Sequence, residues 1–380
     1  LTSAAFIACA LTQRTCARFA KLEILMTASR PNYAFASDNT AGVCPEALAA
    51  ITAANAGRVP SYGDDAHTAR AKQLFADVFE TKCDVFFVFN GTAANALVLA
   101  ALCQRHHAVL CHALSHVETD ECGAPEFFTG GAKILPIAAP HAKLRPADLA
   151  PALHRGHGVH FPKLRAVSLT QSTELGTRYS AAELGELATW SRAHGLDVHV
   201  DGARFANAAA AAGLRGESPA DLTWRAGVDV LCFGGTKNGL LGTEAVVFFN
   251  RQLAHEFDYR VKQSGQLASK MRFAAAQWVA TLEDGAWIRH AHHANAQAQK
   301  LAQGLRTLGF TLLAPVEANG VFVEFAPKIF RALEARGWQF YKFVGEHGYR
   351  LMCSWETRDE DIAAFLADVR AVQKTKSPRS

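Results

Sequence analysis

Between residues 84 and 249 the chain carries seven short runs rich in β-branched and aromatic residues. They are DVFFVF (84–89), HAVLCH (107–112), AKILPI (132–137), RAVSLT (165–170), LDVHV (196–200), VDVLCF (228–233) and EAVVFF (244–249). Most are followed by helix-compatible segments such as TAANALVLAALCQR and SAAELGELATWSRAHG. Continuous apolar runs alternating with helices describe strands buried on both faces of a mostly parallel sheet, because a strand with one wet face would alternate instead. The last two runs are separated by only about ten residues, too few for a helical crossover, so that pair is expected to be antiparallel. After Phe273 the pattern changes to a long helical stretch, then GFTLLA, GVFVEF and YRLMCSW, with DEDIAAFLADVRAV as a closing helix. That reads as a separate, smaller α/β unit, and the expected organisation is a large domain over 35–275 and a small one over 276–380.

Composition narrows the class. With 380 residues, 49% of them apolar, and 19% charged, the chain has material for a large core. No apolar run reaches the length of a membrane span. A net charge of +4 without a basic run or zinc-finger spacing gives no footprint for nucleic acid. The nine cysteines include no CxxC pair, and Cys111, Cys232 and Cys353 sit inside apolar runs. They read as buried thiols of a protein kept in a reducing, cytoplasmic setting. Residues 1–34 form an N-terminal extension, of which the first 25 are basic and nearly free of acids. A targeting segment and a disordered or non-native start are both compatible with it.

In open α/β sheets ligands collect at the carboxyl ends of strands, so the residues just past each run matter most. After the first comes Asn90-Gly-Thr-Ala-Ala-Asn95, leading into a helix: Gly91 allows close backbone approach, and Thr92 with the free N–H groups of the first turn suits a phosphate. Ordinary helix capping explains the same residues. After the fifth comes HVDGARF, where the Asp201 carboxylate is suited to a protonated ring nitrogen and the Arg204 fork to a substrate carboxylate. An ordinary salt bridge at a strand mouth would use the same pair. After the sixth comes CFGGTKNG, which carries Lys237 into a glycine-lined turn. An amine attacks a carbonyl only when neutral, so a lysine that forms an imine needs burial or a neighbouring cation to lower its pKa. Phosphate turn, carboxylate and lysine at the ends of strands in one sheet are the groups that pyridoxal phosphate requires. His290, His292 and His293 cluster on a helical stretch without carboxylates or cysteines in step, and no metal site is read there.

These motifs, together with ASDNTAGVCPE, SYGDD, SHVETDECGAPEF, QSGQLASKMRF and YRLMCSW in that order, resemble the low-specificity L-threonine aldolase and phenylserine aldolase family. Its members are fold-type-I pyridoxal-phosphate enzymes of the aspartate aminotransferase superfamily. The resemblance runs from about Phe35 to the closing helix. It implies a seven-stranded mostly parallel sheet, a small C-terminal α/β domain, and a homotetramer built as a dimer of dimers. It implies that Lys237 carries the cofactor, Asp201 pairs with its ring nitrogen, Gly91 and Thr92 hold its phosphate, and His116 lies over its ring. Lys262 and Lys270 fall where the family brings basic residues to the phosphate, partly from a neighbouring subunit, although the spacing departs from the arginine of other branches. Ser37, Arg204 and Arg350 would take the substrate carboxylate, and Tyr62 and Asp65 would line its side-chain end. His160 matches a second histidine near the substrate hydroxyl.

The implied reaction is retro-aldol cleavage of L-threonine, L-allo-threonine or a related β-hydroxy-α-amino acid to glycine and an aldehyde. His116, His160 or a water is the base for the hydroxyl. An aminotransferase or a β-eliminating lyase would keep Lys237, Asp201 and the phosphate turn; SYGDD and HVETDECG favour the aldolase over both. A non-catalytic assembly or regulatory module is the reading from another class; loss of the lysine, aspartate or histidine would point to it, and all three are present.

Overall fold

The computed structural model describes residues 31–374; the stretch 1–30, most of the N-terminal extension, lies outside the described residues. The seven runs all form strands: β1 (Asp84–Val88), β2 (His107–His112), β3 (Lys133–Ile137), β4 (Lys163–Thr170), β5 (Asp197–Gly202), β6 (Val230–Gly234) and β7 (Glu244–Phe248). They make one sheet in the order β1-β7-β6-β5-β4-β2-β3. The β2–β3, β2–β4, β4–β5 and β5–β6 pairs are parallel. β7 runs antiparallel to both β6 and β1, as the short connection requires. All strands except β7 therefore point their carboxyl ends to the same edge.

Both faces of the sheet are buried, and alternate residues divide between them. Leu110, Leu231, Phe233 and Val247 face one apolar cluster; Val109, Cys111, Val230, Cys232, Val246 and Phe248 face the other. Phe233, at the end of β6 and 1% exposed, meets the rings of Phe75, Phe79, Phe205, Trp278 and Trp287 at 5.1–6.3 Å between centroids. Each such side chain contributes roughly 1.5–3 kcal/mol of transfer free energy, so the packing anchors the end of β6 from which the lysine turn departs.

A second sheet has the order β8-β10-β9, with β8 (Gly320–Glu324), β9 (Tyr341–Val344) and β10 (Gly348–Met352) all antiparallel. It packs its own cluster, which includes Phe35, Leu301, Phe325, Tyr349, Leu351 and Phe365. Here the sequence pattern misleads in two places. GFTLLA forms only a bridge, Leu312 with Val323, flanked by two backbone bonds to β8, Leu313 N–H to Phe322 and Glu324 N–H to Thr311, and Pro315 follows directly, with no N–H to extend the pairing. β9 is an additional strand; it lies at the sheet's edge with Tyr341 and Lys342 exposed, so it shows no continuous apolar run. The helix Ala286–Thr307 joins the two parts, touching both the helix Phe205–Gly213, through Asn295 and Asn207, and the helix Asp359–Lys374, through Lys300 and Asp359. No helix among the described residues is long and apolar enough to cross a membrane.

Candidate active site

At the carboxyl edge of the large sheet a cavity of about 420 Å³ opens between the two sheets. Its lining includes Ser37, Gly91, His116, Asp201, Arg204, Lys237 and Arg350. A contiguous lobe of about 260 Å³ adds Thr92 and Glu244 and shares Gly91, His116, Asp201 and Lys237. The volume suits a cofactor-sized molecule with a small substrate.

The glycines of the lysine turn have a steric reason. A Cβ on Gly235 would meet the Thr243 carbonyl oxygen at 2.5 Å and the Trp278 ring at 2.7 Å; one on Gly234 would meet the Ala203 carbonyl oxygen at 2.4 Å. Gly239 closes the turn at φ +97°. So held, Lys237 is withdrawn from water. Burial lowers its pKa, and the Arg204 guanidinium lowers it further, against the pull of Asp38 and Asp201. A neutral amine at ordinary pH is the form that attacks a carbonyl.

Asp201, near the end of β5, accepts from the Ala203 N–H at 2.9 Å and from Asn95 Nδ2 at 2.9 Å. Burial alone would push this carboxyl up, but the charges of His116 and Lys237 and these bonds outweigh it and hold the pKa below the usual range. A carboxylate kept ionised here suits a protonated ring nitrogen. Asn95 donates with the same Nδ2 to Glu121 Oε1 at 2.8 Å, and Glu121 in turn accepts from His116 Nδ1 at 2.8 Å. The bond to Glu121 raises the His116 pKa, against burial. It also fixes the ring's orientation over the cavity. Asn90 caps the helix Gly91–Leu102 by accepting from the Ala93 N–H at 2.8 Å, which leaves the N–H groups of Gly91 and Thr92 at a helix N-terminus. A Cβ built on Gly91 meets nothing within 4 Å, so that end of the cavity is open.

The carboxylate-binding candidates differ in their partners. Arg204 is held by Asp38 through two bonds, Nε to Oδ2 at 2.6 Å and Nη2 to Oδ1 at 2.9 Å; Asp38 Oδ2 also accepts from Asn319 Nδ2 at 3.1 Å. Arg350, on β10, stacks over Tyr341 and Phe343 at 4.6 and 5.0 Å, and its Nε is buried without a hydrogen-bond partner. Burial and the nearby Arg204 cation lower its pKa to about 10. A desolvated, unpartnered guanidinium edge is poised for an anion. Ser37 lines the same cavity while its Oγ accepts from the Asn39 N–H at 3.2 Å.

Five other residues singled out from the sequence do not line the cavity. His160 is exposed in a short helical turn, its ring 5.9 Å from that of His157. Asp65 caps the helix Ala66–Phe79, accepting from the Thr68 N–H at 2.9 Å and its hydroxyl at 2.8 Å. Tyr62, at φ +59°, lies under Lys262 Nζ at 4.7 Å, and its N–H donates to Ser269 beside Lys270. The SYGDD loop and the two lysines therefore meet on one surface patch. Sequence reasoning passed over Asn95, Glu121, Asp38, Asn319, Glu174 and Glu244. Asp38 and Glu121 stand within the motifs ASDNTAGVCPE and SHVETDECGAPEF, but nothing in a linear sequence shows that Glu121 reaches His116 or that Asp38 reaches Arg204. The structure also brings Cys44 and Glu46 to His290, with Nε2 3.0 Å from a Glu46 oxygen. The neighbouring Arg289 lies 3.8 Å from the same carboxylate, which disfavours a cation there.

The profile of the Beta-eliminating lyase family matches residues 34–328. The chain is 55% identical over 339 residues to a low-specificity L-threonine aldolase of Pseudomonas aeruginosa, covering 89% of this chain and 97% of that protein. It is 53% identical, over the same shares of each, to a low-specificity L-threonine aldolase of a Pseudomonas species. Among solved structures, the threonine aldolase of Leishmania major superposes with a TM-score of 0.84 at 28% identity, covering 90% of this chain and all of that one.

Proposed function

The chain belongs to the low-specificity L-threonine aldolase family, within the fold-type-I pyridoxal-phosphate enzymes, and we propose that it cleaves L-threonine, L-allo-threonine or a related β-hydroxy-α-amino acid such as phenylserine to glycine and an aldehyde. The observation that carries this reading is the convergence of a buried, pKa-lowered Lys237 with an ionised Asp201 in one cavity. Pyridoxal phosphate fits the residues present: Lys237 and Asp201 would hold its aldehyde and ring nitrogen, Gly91 and Thr92 its phosphate at the open helix N-terminus, and His116 its ring face. When bound, the cofactor supplies an electron sink for the pair released as the substrate's Cα–Cβ bond breaks.

The chain's own groups do the rest. Arg350, with an unpartnered Nε, and Arg204, set by Asp38, receive the substrate carboxylate beside Ser37. Two fixed cations orient the amino acid, and orientation alone is worth several kcal/mol of barrier. Glu121 holds His116 in place, and Asn95 ties that pair to Asp201. The patch formed by Tyr62, Lys262 and Lys270 fits the contribution of a neighbouring subunit to the phosphate region, in the homotetramer that the family resemblance implies. The seven cysteines among the described residues are free thiols, in keeping with a cytoplasmic enzyme.

The test incubates the purified protein and pyridoxal phosphate with the three substrates, beside Lys237→Ala. Equimolar glycine and aldehyde, lost in the variant, are expected. Pyruvate and ammonia instead would assign a β-eliminating lyase, and an amino-group transfer to a keto acid would assign an aminotransferase; either refutes the aldolase.

A further inference from the structure

His160, one of the sequence candidates for the hydroxyl's base, is outside the cavity, and His116 donates Nδ1–H to Glu121. The cavity nonetheless contains a carboxyl group to which none of these roles falls. Glu174 follows the end of β4 and lines the cavity together with His116, Arg204 and Lys237. Thr170 donates its hydroxyl to Glu174 Oε1 at 2.6 Å, while Oε2 is buried with no hydrogen-bond partner. A buried carboxyl oxygen without a partner is costly to maintain and marks a place where a proton or a donor is expected.

Resting on the aldolase reading, we infer that Glu174 is a catalytic residue: the base that takes the substrate's β-hydroxyl proton in cleavage and returns it in synthesis. The O–H bond breaks to the Glu174 carboxylate, the hydroxyl carbon becomes the aldehyde carbon as its second bond to oxygen forms, and the Cα–Cβ bond breaks. Bound pyridoxal phosphate would supply the sink for that electron pair, Cα gains a proton, and glycine and aldehyde leave without net oxidation or reduction. The proton lost by oxygen is balanced by the one gained at Cα.

The electrostatics agree. Burial, with the Asp201 charge, pushes the Glu174 carboxyl up to about 7, against the bonds from the Thr170 hydroxyl and from the backbone N–H groups of Glu174 and His116, so it exchanges a proton near neutral pH. Of the groups around it, Asp201 raises it and the Arg204 cation faces it. The Cys111 thiol and the Tyr179 phenol, on both of which its charge acts, are held neutral by burial. Because the base must be ionised, kcat/KM is expected to rise as pH increases through about 7.

The experiment compares wild type with Glu174→Gln and Glu174→Asp as holoenzymes. Aldehyde release from L-threonine is measured beside exchange of the glycine α-proton in deuterated water, which needs cofactor and lysine but no hydroxyl base. The infrared band of protonated carboxyl groups is titrated on the same proteins, independently of turnover. Expected for Glu174→Gln are aldehyde release lower by about 10²–10⁴-fold, glycine exchange within about threefold of wild type, and loss of one carboxyl band titrating near pH 7; Glu174→Asp restores part of the release. Release within threefold of wild type, or equal loss of release and exchange, overturns the assignment, as does an unchanged carboxyl titration. Wild type that exchanges glycine but releases no aldehyde refutes the aldolase reading itself, and the role of Glu174 falls with it.

Discussion

Replacing Asp38 with asparagine removes the negative half of an ion pair whose side chains are 0% and 15% exposed, on Asp38 and Arg204 respectively. Asp38 accepts four side-chain bonds, two from Arg204, one from Asn319 and a long one, 3.5 Å, from the Ser37 hydroxyl. The variant leaves the guanidinium buried without its hydrogen-bonded counter-ion, and breaking one partner of such a pair costs about 3–5 kcal/mol. Burial pushes the Asp38 carboxyl up, but Arg204 and Lys237 outweigh it and hold the pKa below the ordinary carboxylate value. The pair's contribution is therefore fully present above pH ~3.9 and is lost as pH falls through the lower folded value. At pH 7.5 the whole penalty applies. In urea, with an m-value of ~3 kcal/mol/M, the midpoint falls by roughly 1 M or more. The measurement is tryptophan fluorescence of wild type, Asp38→Asn, Arg204→Met and the double variant at one protein concentration. Taking out both charges leaves neither member of the pair buried without its partner, so the double variant is expected to be more stable than Asp38→Asn alone. A loss under about 1 kcal/mol for Asp38→Asn, or a double variant no better than that single one, would refute the account of Arg204 as a cation set in place by a buried carboxylate.

Two further substitutions test the electrostatics. Arg350→Lys loses the planar fork and its stacking on Tyr341 and Phe343, so KM for L-threonine is expected to rise by about tenfold or more with a smaller change in kcat, read from initial rates. His199, 0% exposed between Ser168 at 3.0 Å and Cys232 Sγ at 3.3 Å, has its pKa lowered by burial. The unfolded chain therefore binds a proton that the folded one resists, and stability falls as pH drops below about 6.5. Denaturation midpoints between pH 7.5 and 5.5 should fall less steeply in His199→Gln than in wild type.

The seven strands of the large sheet were legible because both their faces are buried, and that demands runs such as HAVLCH and EAVVFF whatever the neighbours are. The antiparallel β7 followed from the ten residues before it. β9 was not legible: at a sheet edge with Tyr341 and Lys342 in water, its residues obey no burial pattern. Lys237, Asp201, Gly91 and Arg204 announced themselves by standing just past strand ends, since a parallel sheet collects those positions at one edge.

What only the tertiary structure decided is which groups face one another. His160 and His116 are equivalent as letters, yet one is exposed and the other bonded to Glu121 over the cavity. Arg204 and Arg350 are both cations, but Asp38, 166 residues from Arg204, neutralises the first and leaves the second with an open edge. Glu174 carried no sequence signal, because its significance is its burial in the cavity wall with Oε2 left unpaired. Local pattern depends on burial and backbone period, which are written residue by residue. The charge state of a site depends on distances and dielectric, which exist only once the chain is folded.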